Sequence, residues 1–199
     1  MLHCVTRASQ CKCGRFPPWT SQGVLPPVNP DNPVGPDRSP YQVSLVDIVL
    51  RFGDSPERQR ILDGFLRFRR ELHAAGFVEG FQWIDGSFLE NVERLEGRPP
   101  NDVDVVTFVD GASDVAIHKH VRAILDHDAV KAEYSIDHYF VELNLPGRIL
   151  VAHSAYWSGL WSHRRSMQWK GFLQVELARD DDEEAARHLN KAIGSETGR

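Results

Sequence analysis

The most informative part of the sequence is the run Asp102-Val103-Asp104-Val105-Val106-Thr107-Phe108-Val109. Its many β-branched residues indicate a strand in the interior of a sheet. Successive side chains of a strand point to opposite faces, so Asp102 and Asp104 project to the same side. Two adjacent carboxylates repel each other unless a cation lies between them, and Mg²⁺ prefers such oxygen ligands. The run thus predicts an acidic metal site, although a bare Asp-x-Asp pair also fits the solvent-exposed start of a strand.

A second predicted strand, Phe81-Gln82-Trp83-Ile84-Asp85, lies upstream and ends at Gly86-Ser87. Glycine lets a backbone approach a ligand closely, and unpaired N–H groups at a helix start suit phosphate. Ser87 also fits an ordinary cap of a short helix over residues 88–95, with Glu90 completing a capping box. The two roles are compatible, so the turn remains a candidate phosphate contact.

Two further carboxylates lie near the next strand, which is predicted over about residues 134–143. Asp137 and Glu142 are five positions apart, so on a regular strand they face opposite sides and only one joins the first pair. Of the two, Asp137 directly precedes the apolar run His138-Tyr139-Phe140-Val141, as the first residue of a buried strand would. The alternative is that Asp137 is a turn residue, and a bulge would also defeat the parity argument.

The remaining elements follow from periodicity, capping residues and proline content. Helices are predicted over residues 44–53, 55–76, 113–126, 152–164 and from 180 onward, and a late strand over 169–177. Residues 1–40 hold most of the twelve prolines and are predicted to form a largely irregular arm. Residues 41–199 then form the domain. This order predicts an α+β (α/β) fold, with a small mixed central sheet flanked by helices.

Composition excludes several classes of protein. A length of 199 residues with 41% hydrophobic residues fits one domain with a hydrophobic core. No stretch approaches the roughly 20 apolar residues that cross a bilayer, and no apolar signal segment opens the chain, so we expect a cytoplasmic protein without membrane contact. The net charge of −5 argues against a broad nucleic-acid-binding surface. Cys4, Cys11 and Cys13 lie in the arm and match neither a disulfide framework nor a zinc site.

A basic cluster in the second half supplies further candidate contacts. Arg164, Arg165 and Lys170 could pair with a triphosphate or with an acidic partner. Three tryptophans surround this cluster: Trp157, Trp161 and Trp169. The first two are four residues apart and share a face of the predicted helix. Packing in the core is the preferred interpretation for all three, over base stacking.

The turn Gly86-Ser87 and the strand Asp102-Val103-Asp104-Val105-Val106 together resemble the signature of the DNA polymerase beta-type nucleotidyltransferase superfamily. In that superfamily a Gly-Ser turn precedes an Asp-x-Asp strand, and a third carboxylate lies on a later strand. The similarity covers about residues 77–145, and the sequence is similar to the minimal bacterial members. The stretch from Tyr156 to Phe172 is also similar to an uncharacterised bacterial branch.

The resemblance implies magnesium-dependent transfer of a nucleoside monophosphate from a nucleoside triphosphate, expected to be ATP, to a hydroxyl on a protein, RNA or small molecule. The implied catalytic and metal-binding residues are Asp102, Asp104 and Asp137. They would hold two Mg²⁺ ions, or alternatively Mn²⁺. The implied nucleotide contacts are Gly86, Ser87, Arg164, Arg165 and Lys170. The alternative function is a catalytically weak or inactive binding or regulatory protein of the same fold, such as a toxin–antitoxin or phage-defence component.

Overall fold

The computed structural model of the chain describes residues 16–110 and 124–196. The predicted fold class is confirmed, because five strands form one mixed sheet and helices accompany it. No helix in these two ranges is long and apolar enough to cross a membrane. Most of the helix predicted over residues 113–126 lies outside the described residues, and so do the three cysteines of the arm.

The strands are β1 (Tyr41–Gln42), β2 (Gly80–Asp85), β3 (Val103–Val109), β4 (Ile136–Glu142) and β5 (Leu173–Glu176). They lie in the order β1-β5-β2-β3-β4. Strand β2 is antiparallel to both of its neighbours, whereas β3 is parallel to β4 and β1 is parallel to β5. Every residue of β3 except Asp104 is buried. The β-branched run of the sequence therefore forms an interior strand, as predicted.

The described helices are α1 (Leu45–Phe52), α2 (Pro56–Ala74), α3 (Val92–Glu96), α4 (His127–Tyr134), α5 (Gly147–Trp161) and α6 (Asp182–Glu196). The predicted caps of the first two are confirmed, since the Ser44 and Ser55 side chains each accept a hydrogen bond from a backbone N–H of the first turn. Helix α2 packs against α4, α6 and β4.

Two predicted helices are wrong in their bounds. The helix predicted over residues 88–95 is a short 3₁₀ turn, Ser87–Leu89, followed by α3. Asn91 caps α3, and the Ser87 side chain makes no capping hydrogen bond, so the predicted capping box with Glu90 is absent. The helix predicted over residues 152–164 begins earlier, at Gly147 after the N-cap Pro146, and ends earlier, at Trp161 before the C-cap Ser162.

A chain of buried hydrogen bonds ties the helices to the sheet. Arg69 binds both carboxylate oxygens of Asp182, at 2.9 and 2.8 Å, and donates to Oε1 of Gln82 at 2.6 Å. Nε2 of Gln82 donates to Oγ1 of Thr107 at 2.9 Å, and that hydroxyl lies 2.7 Å from Nε2 of His138. Burial lowers the pKa of His138 to about 3, so its ring is neutral. This series of hydrogen bonds links α6 and α2 to three adjacent strands, β2, β3 and β4, and fixes their positions.

The described part of the proline-rich arm, residues 16–40, contains no helix or strand but is anchored to the domain. Val24 and Leu25 are buried in it. The indole Nε1 of Trp19 donates to the backbone oxygen of Leu89 at 2.6 Å. This hydrogen bond joins the arm to the 3₁₀ turn that follows β2.

Candidate functional site

Three aspartates are aligned across three adjacent strands. The Cα of Asp104 in β3 is the register partner of Asp85 in β2 and of Asp137 in β4. Register partners project to the same face, and Asp102, two positions before Asp104, projects there as well. Glu142 ends β4 and, by the same parity, projects to the opposite face. The strand geometry therefore selects Asp137, which lies within the strand and not in a turn.

These aspartates line a cavity of about 740 Å³. Its wall includes all the residues that the sequence predicts for the site: Gly86, Ser87, Asp102, Asp104, Asp137, Arg164, Arg165 and Lys170. It also includes charged and polar residues that sequence reasoning did not select: Asp85, Glu90, Glu96, Arg98, Asn101 and Lys131. Another cavity, of about 670 Å³ between α2 and α6, shares none of these residues.

Asp104 has the most perturbed carboxylate of this wall. Burial, and after it the negative charges of Asp85, Asp102 and Asp137, raise the pKa of Asp104 to about 7. Within the described ranges, the cavity-lining cations Lys131, Arg164 and Lys170 form ion pairs with other carboxylates of the cavity, and none of them forms one with Asp104. A crowded carboxylate that forms no ion pair favours binding a proton or a metal ion.

The turn after β2 is shaped by Gly86. Its φ of 92° and ψ of −176° lie in a region that is essentially restricted to glycine. The turn directs Ser87 toward the cavity, and the described structure gives its hydroxyl no capping role. The Ser87 hydroxyl is therefore available to a ligand of the cavity.

Lys170 forms ion pairs with two carboxylates of the cavity wall. Its Nζ lies 2.9 Å from Oδ1 of Asp85 and 3.2 Å from Oε1 of Glu90. Burial outweighs the charge of Lys170 and raises the pKa of Asp85 to about 6. Oδ1 of Asp85 accepts no hydrogen bond of regular geometry, although the ammonium is close to it. Since Lys170 is only 5% exposed, its charge serves these two carboxylates first.

The two arginines of the predicted basic cluster differ in their surroundings. Arg164 lies 2.9 Å from Oε2 of Glu90 and 2.6 Å from Oε1 of Glu96, so its charge is already neutralised. Arg165 is exposed, lines the cavity and forms no ion pair with the residues that the structure describes. Arg165 is therefore the predicted phosphate contact whose charge is still available.

Lys131 reaches from α4 into the gap between two aspartates. Its Nζ lies 2.8 Å from Oδ2 of Asp102 and 3.1 Å from Oδ2 of Asp137. The hydrogen bond to Asp102, aided by the one to Asp137, raises the pKa of Lys131 above its ordinary value. Burial alone would raise the pKa of Asp137, but hydrogen bonds from His127, Lys131 and Tyr139 outweigh it and hold that pKa below its ordinary value.

The donor set suits a hard divalent cation, because carboxylate oxygens are the ligands that Mg²⁺ prefers. As the side chains lie, no three acidic, histidine or cysteine residues in the described ranges form a group that could hold a metal ion. The ammonium of Lys131 occupies the position between Asp102 and Asp137. A metal bound by both carboxylates has to displace it, so the residues fit a metal in chemistry and strand register while Lys131 supplies the positive charge here.

The tryptophans follow the prediction in part. Trp157 and Trp161 are buried, as expected from their shared helix face. Trp169 is 67% exposed, so its predicted place in the core is wrong. It lies on the loop between α5 and β5, where it pairs with His163 in an isolated bridge and points away from the sheet core.

Comparison with curated proteins and with solved structures gave no match to the chain. Residues 17–176 match a family described as a "Family of unknown function (DUF6932)". The matched range includes the whole wall of the cavity and the five strands. The chain therefore belongs to this family of unknown function, DUF6932.

Proposed function

We propose that the protein is a magnesium-dependent nucleotidyltransferase, which transfers a nucleoside monophosphate from a nucleoside triphosphate, ATP, to an acceptor hydroxyl. The observation that carries this proposal is the alignment of Asp104 with Asp137 across β3 and β4, with Asp102 beside them. The Gly86-Ser87 turn closes the same cavity. This arrangement agrees with the motif order of the DNA polymerase beta-type nucleotidyltransferases, which supplies the reaction type.

The aspartates, the Gly86-Ser87 turn and Arg165 each have a role in this reaction. Magnesium held by Asp102, Asp104 and Asp137 would neutralise phosphate charge and make the acceptor hydroxyl more acidic. The Ser87 hydroxyl and the backbone N–H groups of the turn bind phosphate oxygens. Arg165 pairs with the end of the triphosphate, because its charge is not used by the described carboxylates.

The chemical step is an in-line displacement at the α-phosphorus. A bond forms between the acceptor oxygen and the α-phosphorus, and the bond from that phosphorus to the bridging oxygen breaks. Pyrophosphate leaves with the electron pair of that bond, and the hydroxyl proton passes to solvent. Positioning and charge stabilisation by the cavity supply most of the rate enhancement in such a reaction.

A second candidate is a binding or regulatory protein of the same fold with weak or no catalysis. The observation that favours it is the internal neutralisation of the cavity: Lys131 pairs with Asp102 and Asp137, and Arg164 pairs with Glu90. A cavity that balances its own charges keeps its shape without a nucleotide. Such a protein would hold ATP without releasing pyrophosphate, or would bind neither metal nor nucleotide.

Two measurements separate these candidates: thermal unfolding with MgCl₂ and a non-hydrolysable ATP analogue, and a pyrophosphate-release assay with ATP and dialysed lysate as the source of the acceptor. A ligand at a hundred times its Kd stabilises a fold by about 2.7 kcal/mol, so binding gives a clear rise in Tm. The enzyme is expected to show both the rise and the release, and Asp102→Asn/Asp104→Asn to lose the release. Glu142→Gln, which removes a carboxylate from the opposite face of the sheet, is the matched control. A rise in Tm without pyrophosphate release supports the regulatory candidate. The absence of both the rise in Tm and the release contradicts the proposal.

A further inference from the structure

Residues 162–170, between α5 and β5, form a hairpin that contributes to the cavity wall. The backbone N–H of the last residue of this hairpin donates to the backbone oxygen of the first at 2.8 Å. At the tip, the N–H of Met167 donates to the oxygen of Arg164, also at 2.8 Å, so Arg165-Ser166 is the centre of a β-turn. Both of its residues line the same cavity as Gly86-Ser87. The wall thus contains two tight turns, which we call the Gly-Ser turn and the Arg-Ser turn.

The polar side chains of the Arg-Ser turn are available to a ligand. Both are exposed and line the cavity. In the part of the chain that the structure describes, the Arg165 guanidinium forms no ion pair and the Ser166 hydroxyl forms no hydrogen bond. A guanidinium beside a hydroxyl is a donor set that suits the oxygens of a phosphate. Ser166 is therefore a candidate phosphate contact that sequence reasoning did not select.

Glu90 connects this hairpin to the Gly-Ser turn. Oε2 of Glu90 lies 2.9 Å from Nε of Arg164, directly before the Arg-Ser turn. Oε1 of Glu90 lies 3.2 Å from Nζ of Lys170, at the base of the hairpin. The backbone N–H of Glu90 donates to the oxygen of Ser87 at 3.1 Å, so the same residue closes the Gly-Ser turn. One carboxylate thus ties the two turns of the cavity together.

The surroundings of Glu90 suit a positioning role. Glu90 is 5% exposed, and each of its carboxylate oxygens lies against a cation, so neither is left for a metal ion. Lys170 also binds Asp85 at 2.9 Å, and Arg164 also binds Glu96 at 2.6 Å. Among the ion pairs of the described ranges, only Glu90 binds both of these cations. It is therefore the carboxylate that holds the tip and the base of the hairpin at once.

We propose that the Arg-Ser turn binds the β- and γ-phosphates of the nucleoside triphosphate, and that Glu90 positions this turn. The Arg165 guanidinium and the Ser166 hydroxyl donate to the terminal phosphate oxygens, while the α-phosphate lies at the aspartates. Glu90 acts on the nucleotide only through the two cations that it binds, so it is not a catalytic residue. The phosphate contact rests on the proposed function, whereas the link between the hairpin and the Gly-Ser turn stands on the ion pairs.

Binding of AMP and of a non-hydrolysable ATP analogue, both in MgCl₂, tests the role of the Arg-Ser turn. Glu90→Gln keeps the size of the side chain and leaves each cation with its other carboxylate, so the variant is expected to fold. Its lost negative charge alone would strengthen binding of the analogue, whereas lost positioning weakens it. We expect Glu90→Gln and Ser166→Ala to weaken binding of the analogue about tenfold and to leave AMP binding unchanged.

Glu96→Gln is the charge-matched control for Glu90→Gln. It also removes a carboxylate of Arg164, but Glu96 lies at the end of α3 and does not bind Lys170. We expect Glu96→Gln to bind the analogue at least as tightly as the parent protein. Equal weakening in the two glutamate variants, or equal weakening of AMP and the analogue in Glu90→Gln, overturns the positioning role. Unchanged binding of the analogue in Ser166→Ala overturns the phosphate contact.

Hydrogen exchange of the nucleotide-free protein tests the link by itself. The hairpin N–H groups of Met167 and Lys170 are expected to exchange about tenfold faster in Glu90→Gln, with rates in α2 unchanged, because local opening governs exchange. Glu142→Gln should leave all of these rates unchanged. Unchanged hairpin exchange in Glu90→Gln overturns the positioning role. Faster exchange in a protein that binds no Mg²⁺–ATP supports the link and overturns the phosphate contact together with the proposed function.

Discussion

Gly86 lies directly against the carboxylate of Asp104. A Cβ atom at Gly86 would be 2.8 Å from Oδ2 and 3.0 Å from Cγ of Asp104. The missing side chain thus lets the turn after β2 close onto the central aspartate of β3. The turn and the aspartate act as one unit, and a change in either is expected to disturb the other.

Gly86→Ala should therefore displace Asp104 and abolish nucleotide transfer. The φ of 92° adds backbone strain of about 1–3 kcal/mol to the clash. Gly97→Ala is the matched control, since Gly97 also has a positive φ, of 65°, but nothing lies within 4 Å of its added Cβ. Denaturant unfolding and a transfer assay of both variants check the prediction. Equal losses of activity in the two variants would show that the contact with Asp104 is irrelevant.

Asp104→Asn should abolish transfer and stabilise the metal-free protein in a pH-dependent way. In the fold the pKa of Asp104 is raised to about 7 by burial and by the neighbouring carboxylates, against about 3.9 in an unfolded chain. As the pH rises from about 4 to 7, the unfolded chain releases this proton first, so the native protein loses stability. The side chain of Asn releases no proton, so Asp104→Asn does not undergo this loss of stability.

The gain from Asp104→Asn is accordingly expected to be absent near pH 4 and to reach on the order of 2–4 kcal/mol at pH 8. Urea unfolding in EDTA at several pH values measures it. Glu142→Gln, on the opposite face, should show no comparable trend. A variant that is less stable than the parent protein at pH 8 would contradict the assigned burial and repulsion.

Arg58→Met should destabilise the fold by about 3 kcal/mol or more. Arg58 is 1% exposed and donates to the backbone oxygens of Phe88 and Glu90, both at 2.6 Å, so its loss leaves buried carbonyls unpaired beside the 3₁₀ turn. Arg67→Met on the same helix is the control, because the Arg67 side chain is 38% exposed and its ion pairs are worth about 1 kcal/mol or less. Similar unfolding free energies for the two variants would refute the buried role of Arg58.

Lys131→Met should make the protein bind Mg²⁺ more tightly. The Lys131 ammonium occupies the position between Asp102 and Asp137, and a metal must displace it. Removing one competing charge in a hydrated site is worth about 1 kcal/mol, or roughly fivefold in affinity. Titration of Tm with MgCl₂ measures the change, and Lys191→Met on α6 serves as the control. Weaker Mg²⁺ binding in Lys131→Met would show that this lysine assists the metal.

Much of the site was predictable from local geometry. The two-residue period of a strand depends only on the local backbone, so it places Asp102 and Asp104 together and separates Asp137 from Glu142. The helix caps Ser44 and Ser55 are also local, and both were predicted correctly.

The partners of the carboxylates were not predictable, because they depend on tertiary packing. Lys131 approaches from a helix beside β4, and Lys170 comes from a loop distant in sequence. Asp85 did leave a signal, since it ends a strand immediately before Gly86. The helix predicted over residues 88–95 failed because the extended backbone of Glu90 ends the 3₁₀ turn, and α3 starts only after Asn91.

ATP labelled separately on the α- or the γ-phosphate, incubated with the protein and lysate in MgCl₂, shows which part of the nucleotide moves. Transfer of a nucleoside monophosphate predicts that the α-label appears on an acceptor and that the γ-label appears in pyrophosphate. Glu142→Gln should behave like the parent protein, and Asp102→Asn/Asp104→Asn should give no labelled acceptor. A γ-labelled acceptor, or equal α-labelling by the double variant, would contradict a nucleotidyltransferase whose reaction depends on these aspartates.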